Sequence, residues 1–199
     1  MTEWQQHFEK WKDCRLCSLC DTRRRIVLAR GKIPADILFI GEAPGPSEDM
    51  LGKPFIGPAG KLMDDIIGRS IEGRFSYCMT NLVACIPLES AGKKFAEPPV
   101  ESIKACAQRL QEFVKIVRPR LIVRVGVLAK KHVYGQSDFS EFQNMDDPKF
   151  ASLPWIPRGK FLLFADLIHP AAILRMNRAQ QGLAVQRCVV ELLSAVREL

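Results

Sequence analysis

"ADILFIGEAPG", residues 35–45, decides how the chain is read. Ile37, Leu38, Phe39 and Ile40 form an unbroken apolar run, short and without polar alternation. A run of this kind is the mark of a strand buried on both faces, as in a parallel sheet. It stops at Gly41, and a carboxylate, Glu42, follows at once. Residues 41–58 hold four glycines and four prolines, which predicts a long structured loop. A buried strand that ends in an acid, bare backbone and, soon after, an aromatic (Phe55) has the layout of a ligand site at a strand end.

Outward from this stretch the pattern repeats. "AGKLMDDIIGRSI" (59–71) places Leu62, Met63, Ile66 and Ile67 on one side of a helix. "FSYCMTNLVAC" (75–85) is a second strand, "RLIVRVG" (120–126) a third and "KFLLFADLIHP" (160–170) a fourth. Between them lie a long amphipathic helix at 100–119, closed by Pro119, and a short one in "VLAKKHVYG". A short helix is expected over residues 3–12, and residues 171–199 are mostly helical. Residues 86–99 and 136–159 are expected to be irregular. Strands alternating with helices imply an α/β fold, a three-layer αβα sandwich with a central four-stranded parallel sheet. One domain spans 1–199, with residues 1–35 as an N-terminal helix and cysteine-bearing segment. In such sheets the ligand sits beyond the carboxyl ends of the strands, which here are Glu42, Asn81 to Cys85, Gly126 and His169.

The 199 residues carry a formal charge of +7, a surplus that suits a polyanion, nucleic acid first. No apolar run approaches the roughly 20 residues of a membrane span. The N-terminus, "MTEWQQHFEKWKDC", is too polar for a signal peptide. A cytoplasmic protein of a prokaryote or phage, monomeric and with no membrane partner, is expected. Seven cysteines in such a compartment point to metal rather than disulfides. Cys14-x-x-Cys17, with Cys85 and Cys106 beyond, offers four thiolates suited to zinc or to an iron–sulfur cubane. Cys20 in "CRLCSLC" competes as a ligand, whereas Cys78 and Cys188 lie in apolar surroundings as core residues.

The polar residues at the strand ends match one extruded nucleobase. Asn81 presents a donor and an acceptor in one plane. His169 can donate to an oxygen that gains negative charge. Phe55 offers a flat face for stacking, Glu42 can hold a water or face a developing cation, and glycine lets backbone approach closely.

"GEAPGPSEDMLGKPFIGPAGKLM", "TNLVACIP" and "HPAAILR" together resemble the motifs of the family 4, iron–sulfur, uracil-DNA glycosylases. The resemblance covers residues 14–190 in order. It implies a DNA-repair enzyme that hydrolyses the N-glycosidic bond of uracil in single- or double-stranded DNA and leaves an abasic site. By it, Gly41, Glu42, Ala43, Pro44 and Gly45 form the water-activating and sugar-facing loop, with Glu42 and His169 as the catalytic pair. Glu48 lies at the pocket wall near carbon 5 of the base, Phe55 stacks on uracil and Asn81 pairs with its N3 and O4 edge. Ile173, Leu174 and Arg175 enter the DNA where the base has left. A structural [4Fe–4S] cluster falls to Cys14, Cys17, Cys85 and Cys106, with zinc as the alternative.

Two segments depart from the pattern. "LESAGKKFAEPP" (88–99) is longer than expected, and "SDFSEFQNMDDPKF" (137–150) is acidic where a basic stretch is usual. Other functions weighed are a non-catalytic binder of uracil or a modified base and a nucleotide-handling enzyme. The second lacks a P-loop, since no Lys-Ser/Thr follows the glycines. A covalent uracil binder is disfavoured because no histidine lies between Ala91 and Pro99. Basic residues suited to phosphates are Arg23, Arg24, Arg25, Arg30, Lys93, Lys94, Arg158, Lys160, Arg175 and Arg178, with Arg175 the strongest.

Overall fold

A computed structural model describes residues 1–71, 73–89, 95–133 and 162–199. Lys93, Lys94, Arg158, Lys160 and the 136–159 segment therefore lie outside the described residues. The apolar runs form β2 (Ile37–Gly41), β3 (Tyr77–Asn81), β4 (Leu121–Val125) and β5 (Leu163–Leu167), all parallel. Along β2, Ile37 and Phe39 face one hydrophobic cluster, and Leu38 and Ile40 face another. This double burial is why the strands are continuous apolar runs rather than alternating ones.

Helix α3 (Pro58–Ser70) and helix α7 (Arg178–Ala195) cover the first face with Met63, Ile66, Val185 and Leu192. Helix α4 (Val100–Val117) covers the second with Leu110, Phe113, Val114 and Val117. No helix of the described residues is long and apolar enough to cross a membrane.

The expected four-stranded, wholly parallel sheet needs correction. The sheet has five strands in the order β1-β3-β2-β4-β5, and β1 (Arg30–Gly31) pairs antiparallel with β3. The segment leaving the cysteine cluster runs back along the outer edge of β3. The Val27 amide donates to the Ala84 carbonyl at 2.8 Å, and the Lys32 amide to the Tyr77 carbonyl at 3.0 Å. β3 also ends at Asn81, four residues earlier than its apolar run suggests, because the chain then turns across the end of β2. There the Leu82 amide donates to the Gly41 carbonyl at 2.9 Å. Inside the stretch expected to be loop lies helix α2 (Pro46–Leu51), opened by a proline in its first turn and closed by Gly52 in the left-handed region. Helix α5 (Val127–His132) follows β4, and helix α6 (Pro170–Ile173) follows β5.

Helix α1 (Glu3–Trp11) docks on α4. Its His7 is 4% exposed, among the rings of Trp4, Trp11 and Phe113. Burial, and then the nearby Arg109 cation, pushes its pKa down to about 4. The unfolded chain therefore takes up this proton first, and stability falls as pH drops from 6.5 towards 4. In His7→Phe the stability lost between pH 7.5 and pH 5 is expected to shrink by roughly 1–2 kcal/mol. Urea midpoints at the two pH values check this, and an unchanged gap would contradict it.

Candidate active site

Strand order places β2 beside β4, while the chain leaves β2 for β3 on its other side. Connections diverge at that point and leave a crevice beyond the strand ends. One cavity opens there, and Glu42, Glu48, Phe55, Asn81 and His169 all line it.

Two glycines bring these side chains together. A methyl group added at Gly41 would come within 2.5 Å of both Asn81 Oδ1 and Phe55 Cζ. The amide and the ring thus meet over bare backbone at the end of β2. Gly126, at the end of β4, has φ +98°, a conformation that favours glycine. A methyl there would collide with Glu42 Oε1 and reach 3.1 Å from His169 Cδ2. The carboxylate and the imidazole thus converge across Gly126.

Glu42 Oε1 accepts the Leu128 amide at 3.2 Å, so one carboxylate oxygen caps the first turn of α5. Capping fixes the side chain, while its second oxygen accepts no hydrogen bond among the described residues. His169 is the N-cap of α6, and its Nδ1 accepts the Ala171 amide at 3.2 Å. An accepting Nδ1 carries no proton, so the neutral ring keeps its proton on Nε2. Burial holds the His169 pKa below its ordinary value; Glu42 opposes this shift and Arg175 adds to it. The site therefore contains a neutral imidazole donor beside a carboxylate.

Phe55 is buried and has φ +55°, unusual for a non-glycine residue. Glu48 holds it there. This carboxylate, 8% exposed, accepts the Ile56 amide at 3.0 Å and the Gly57 amide at 2.9 Å on Oε1. In Glu48→Ala those amides lose their partner, at about 1–3 kcal/mol for each buried donor. A stability loss of about 2–4 kcal/mol is expected, whereas Glu48→Gln keeps an acceptor oxygen and most of the stability. Equal denaturant midpoints for the alanine variant and the parent would remove this clasp.

The exit side needs one correction. Ile173 has no exposed surface and belongs to the core with α7, so it is not available to DNA. Leu174, 42% exposed, and Arg175 line the cavity. Of the basic residues, Arg30 pairs with Asp64 at 2.6 Å and Arg23 points to a thiol. The backbone amides of Arg24 and Arg25 are held by Asp49. Lys130, Arg187 and the exposed Phe95 also line the cavity and were missed in the sequence. Lys130, beside Lys131 and paired with Asp166 at 3.0 Å, and Arg187 are charges on helices with no motif around them, and Phe95 lies in a segment expected to be irregular.

Cys14, Cys17, Cys85 and Cys106 line a second, smaller cavity between α1, the β3 exit and α4. Cys20 is not among its lining, and its thiol donates to Asp21 Oδ1 at 3.3 Å. Arg23 Nη1 donates to Cys85 Sγ at 3.2 Å. Burial pushes the Cys85 thiol up to about 11, with Arg23 opposing. A single zinc needs its sulfurs about 3.8 Å apart, from Zn–S bonds near 2.3 Å. Among the described residues no three His, Cys, Asp or Glu side chains are placed to hold one metal ion. The four thiols that line this cavity are a donor set of the kind that holds zinc or an iron–sulfur group.

The family model of the uracil DNA glycosylase superfamily matches residues 28–193. Similar curated proteins are type-4 uracil-DNA glycosylases. That of Sulfurisphaera tokodaii is 32% identical over 163 residues, 81% of this chain and 71% of that protein. That of Saccharolobus solfataricus is 32% identical over 167 residues, covering 82% and 73%. That of Thermotoga maritima is 29% identical over 183 residues, covering 92% and 87%.

Proposed function

The chain belongs to the uracil DNA glycosylase superfamily, in its type-4 branch, and from that premise we infer that it hydrolyses the N-glycosidic bond of uracil in DNA. The observation that carries the site assignment is the meeting of four side chains at two glycines, Phe55 with Asn81 at Gly41 and Glu42 with His169 at Gly126.

Cleavage breaks the C1′–N1 bond, and its electron pair leaves with the base. Negative charge then collects on the uracil O2 and positive charge on the sugar. His169 Nε2–H donates to O2 without first having to lose a proton, since the ring is already neutral. The free oxygen of Glu42 faces the sugar, offsets its charge and takes the proton of the water that adds to C1′. The uracil anion takes up a proton, Glu42 gives up the one it received, and uracil and an abasic site result. Phe55 stacks on the base, Asn81 reads its N3 and O4 edge, and Glu48 lies towards carbon 5. Cytosine presents an amino group and an unprotonated N3 at that edge, so a fixed Asn81 amide meets it with donor against donor. Mispairing of this kind discriminates by roughly 10⁴-fold. Leu174 and Arg175 fill the space the base leaves and contact the backbone.

Cys14, Cys17, Cys85 and Cys106 would hold a [4Fe–4S] cluster. When bound, it cross-links the N-terminal segment to the β3 exit and to α4, a structural role. Incubation with an oligonucleotide bearing one uracil, followed by alkali, tests the function. A nick at uracil is expected. Retarded mobility without a nick would favour a non-catalytic binder.

A further inference from the structure

Among the described residues, Arg109 is the largest side chain with under 2% exposure. It lies on α4 three residues after Cys106 and lines the thiol cavity. Its Nη2 donates to the Asn81 carbonyl at 2.6 Å and to the Leu82 carbonyl at 2.9 Å, and its Nη1 to Thr80 Oγ1 at 3.0 Å. Its Nε has no hydrogen-bond partner among the described residues, and no carboxylate there forms an ion pair with it. A buried cation without an anion is costly. A set of four ligating thiolates beside it would supply the missing negative charge. The same guanidinium grips two successive peptide carbonyls and the hydroxyl before them, and so fixes the main chain from which the Asn81 side chain projects. A lysine is a point donor and cannot span the three acceptors.

We propose that Arg109 is the positioning residue that locks Asn81, tying the base-reading end of β3 to the thiol-lined cavity; the assignment rests on the glycosylase function inferred above. Glu42 and His169 stand just beyond β2 and β5, and neither is bonded to Arg109. The arginine therefore acts on recognition rather than on bond cleavage.

The parent is compared with Arg109→Lys and Arg109→Gln for iron content, visible absorbance, kcat, KM and relative excision of uracil and cytosine. Both variants are expected to raise KM about tenfold with kcat within about twofold, and to narrow the preference for uracil over cytosine by about tenfold or more. A merely structural arginine would lower the melting temperature without splitting KM from kcat. A parent that nicks uracil, with variants equal to it in KM and base preference, would overturn the proposal and leave the function standing. A parent that leaves uracil intact would remove the function and this inference with it. Should neither variant fold, Thr80→Val decides, because it deletes one acceptor and keeps the arginine. A KM about threefold higher at unchanged kcat supports the lock, and a parental KM overturns it.

Discussion

In His169→Ala, kcat for uracil excision is expected to fall about a hundred- to a thousandfold, the typical loss when one donor to a developing oxyanion is removed. KM should change little, because stacking on Phe55 and pairing with Asn81 do not pass through the imidazole. Three observations set the size of the effect. The ring is half-buried just past the end of β5 and lines the cavity, so its donor acts where water screens less than at the open surface. Its Nδ1 is occupied by the Ala171 amide at 3.2 Å, which leaves Nε2–H as the proton-bearing nitrogen. Its lowered pKa keeps it neutral at neutral pH. The sign of the pH effect follows. The folded pKa lies below the ordinary 6.5, so the ring is more than half neutral at pH 6.5 and above. Protonation removes the acceptor that caps α6. The parent should therefore show no His169-dependent limb with its midpoint between pH 8 and 6.5. A limb with its midpoint in that range that disappears in His169→Ala would contradict the neutral-donor assignment. A variant as fast as the parent would remove His169 from the chemistry even if uracil excision is real.

The sheet was legible in the sequence because its central strands are buried twice over. Ile37 to Ile40 and Leu121 to Val123 have no solvent face to interrupt the apolar run, so composition alone marks them. β1 left no such mark. It is two residues long, one of them glycine, and it exists because Met79 and Cys78 offer an edge to pair with. Helix α2 was hidden by the prolines and glycines that bound it, which act here as an N-terminal proline and a C-terminal glycine rather than as loop formers. At the site, residue type indicated the direct contacts, since an amide, an imidazole and a carboxylate past strand ends carry their chemistry openly. Their supports were illegible. Glu48 reaches eight and nine residues onward to Ile56 and Gly57, and Arg109 reaches back 27 to 29 residues to Leu82, Asn81 and Thr80. No local period encodes such bonds. Ile173 and Leu174 are adjacent apolar residues of one motif, and only the short helix α6 turns the first into the core and the second outward.

Cys85→Ala is expected to lose nearly all bound iron and visible absorbance, together with most of the soluble yield, whereas Cys20→Ala should keep all three. Two contributions differ greatly in size. Without a cluster, the segment from Cys14 to Leu28 is held to the body by the burial of Leu19, Val27 and Leu28 and by a few hydrogen bonds. These include Arg23 to Cys85, the amides of Arg24 and Arg25 to Asp49, and the Val27 amide to Ala84. Each contributes about 1 kcal/mol net. Metal ligation by thiolates in small structural sites contributes on the order of 10 kcal/mol, so the cross-link outweighs those bonds together. Cys85 is central to it. It is 5% exposed, lies at the exit of β3 four residues from Asn81, and accepts the Arg23 guanidinium. Burial raises its thiol pKa to about 11, so ligation must displace a proton, and assembly should become easier as pH rises. Cys20 has the opposite setting, outside the cavity lining and turned to Asp21. Iron per chain and the visible spectrum, measured on protein purified without oxygen, separate the two variants. Full absorbance in Cys85→Ala would remove it from the ligand set. Loss of iron in Cys20→Ala would mean that the third thiol of "CRLCSLC", rather than Cys14 or Cys17, completes the site.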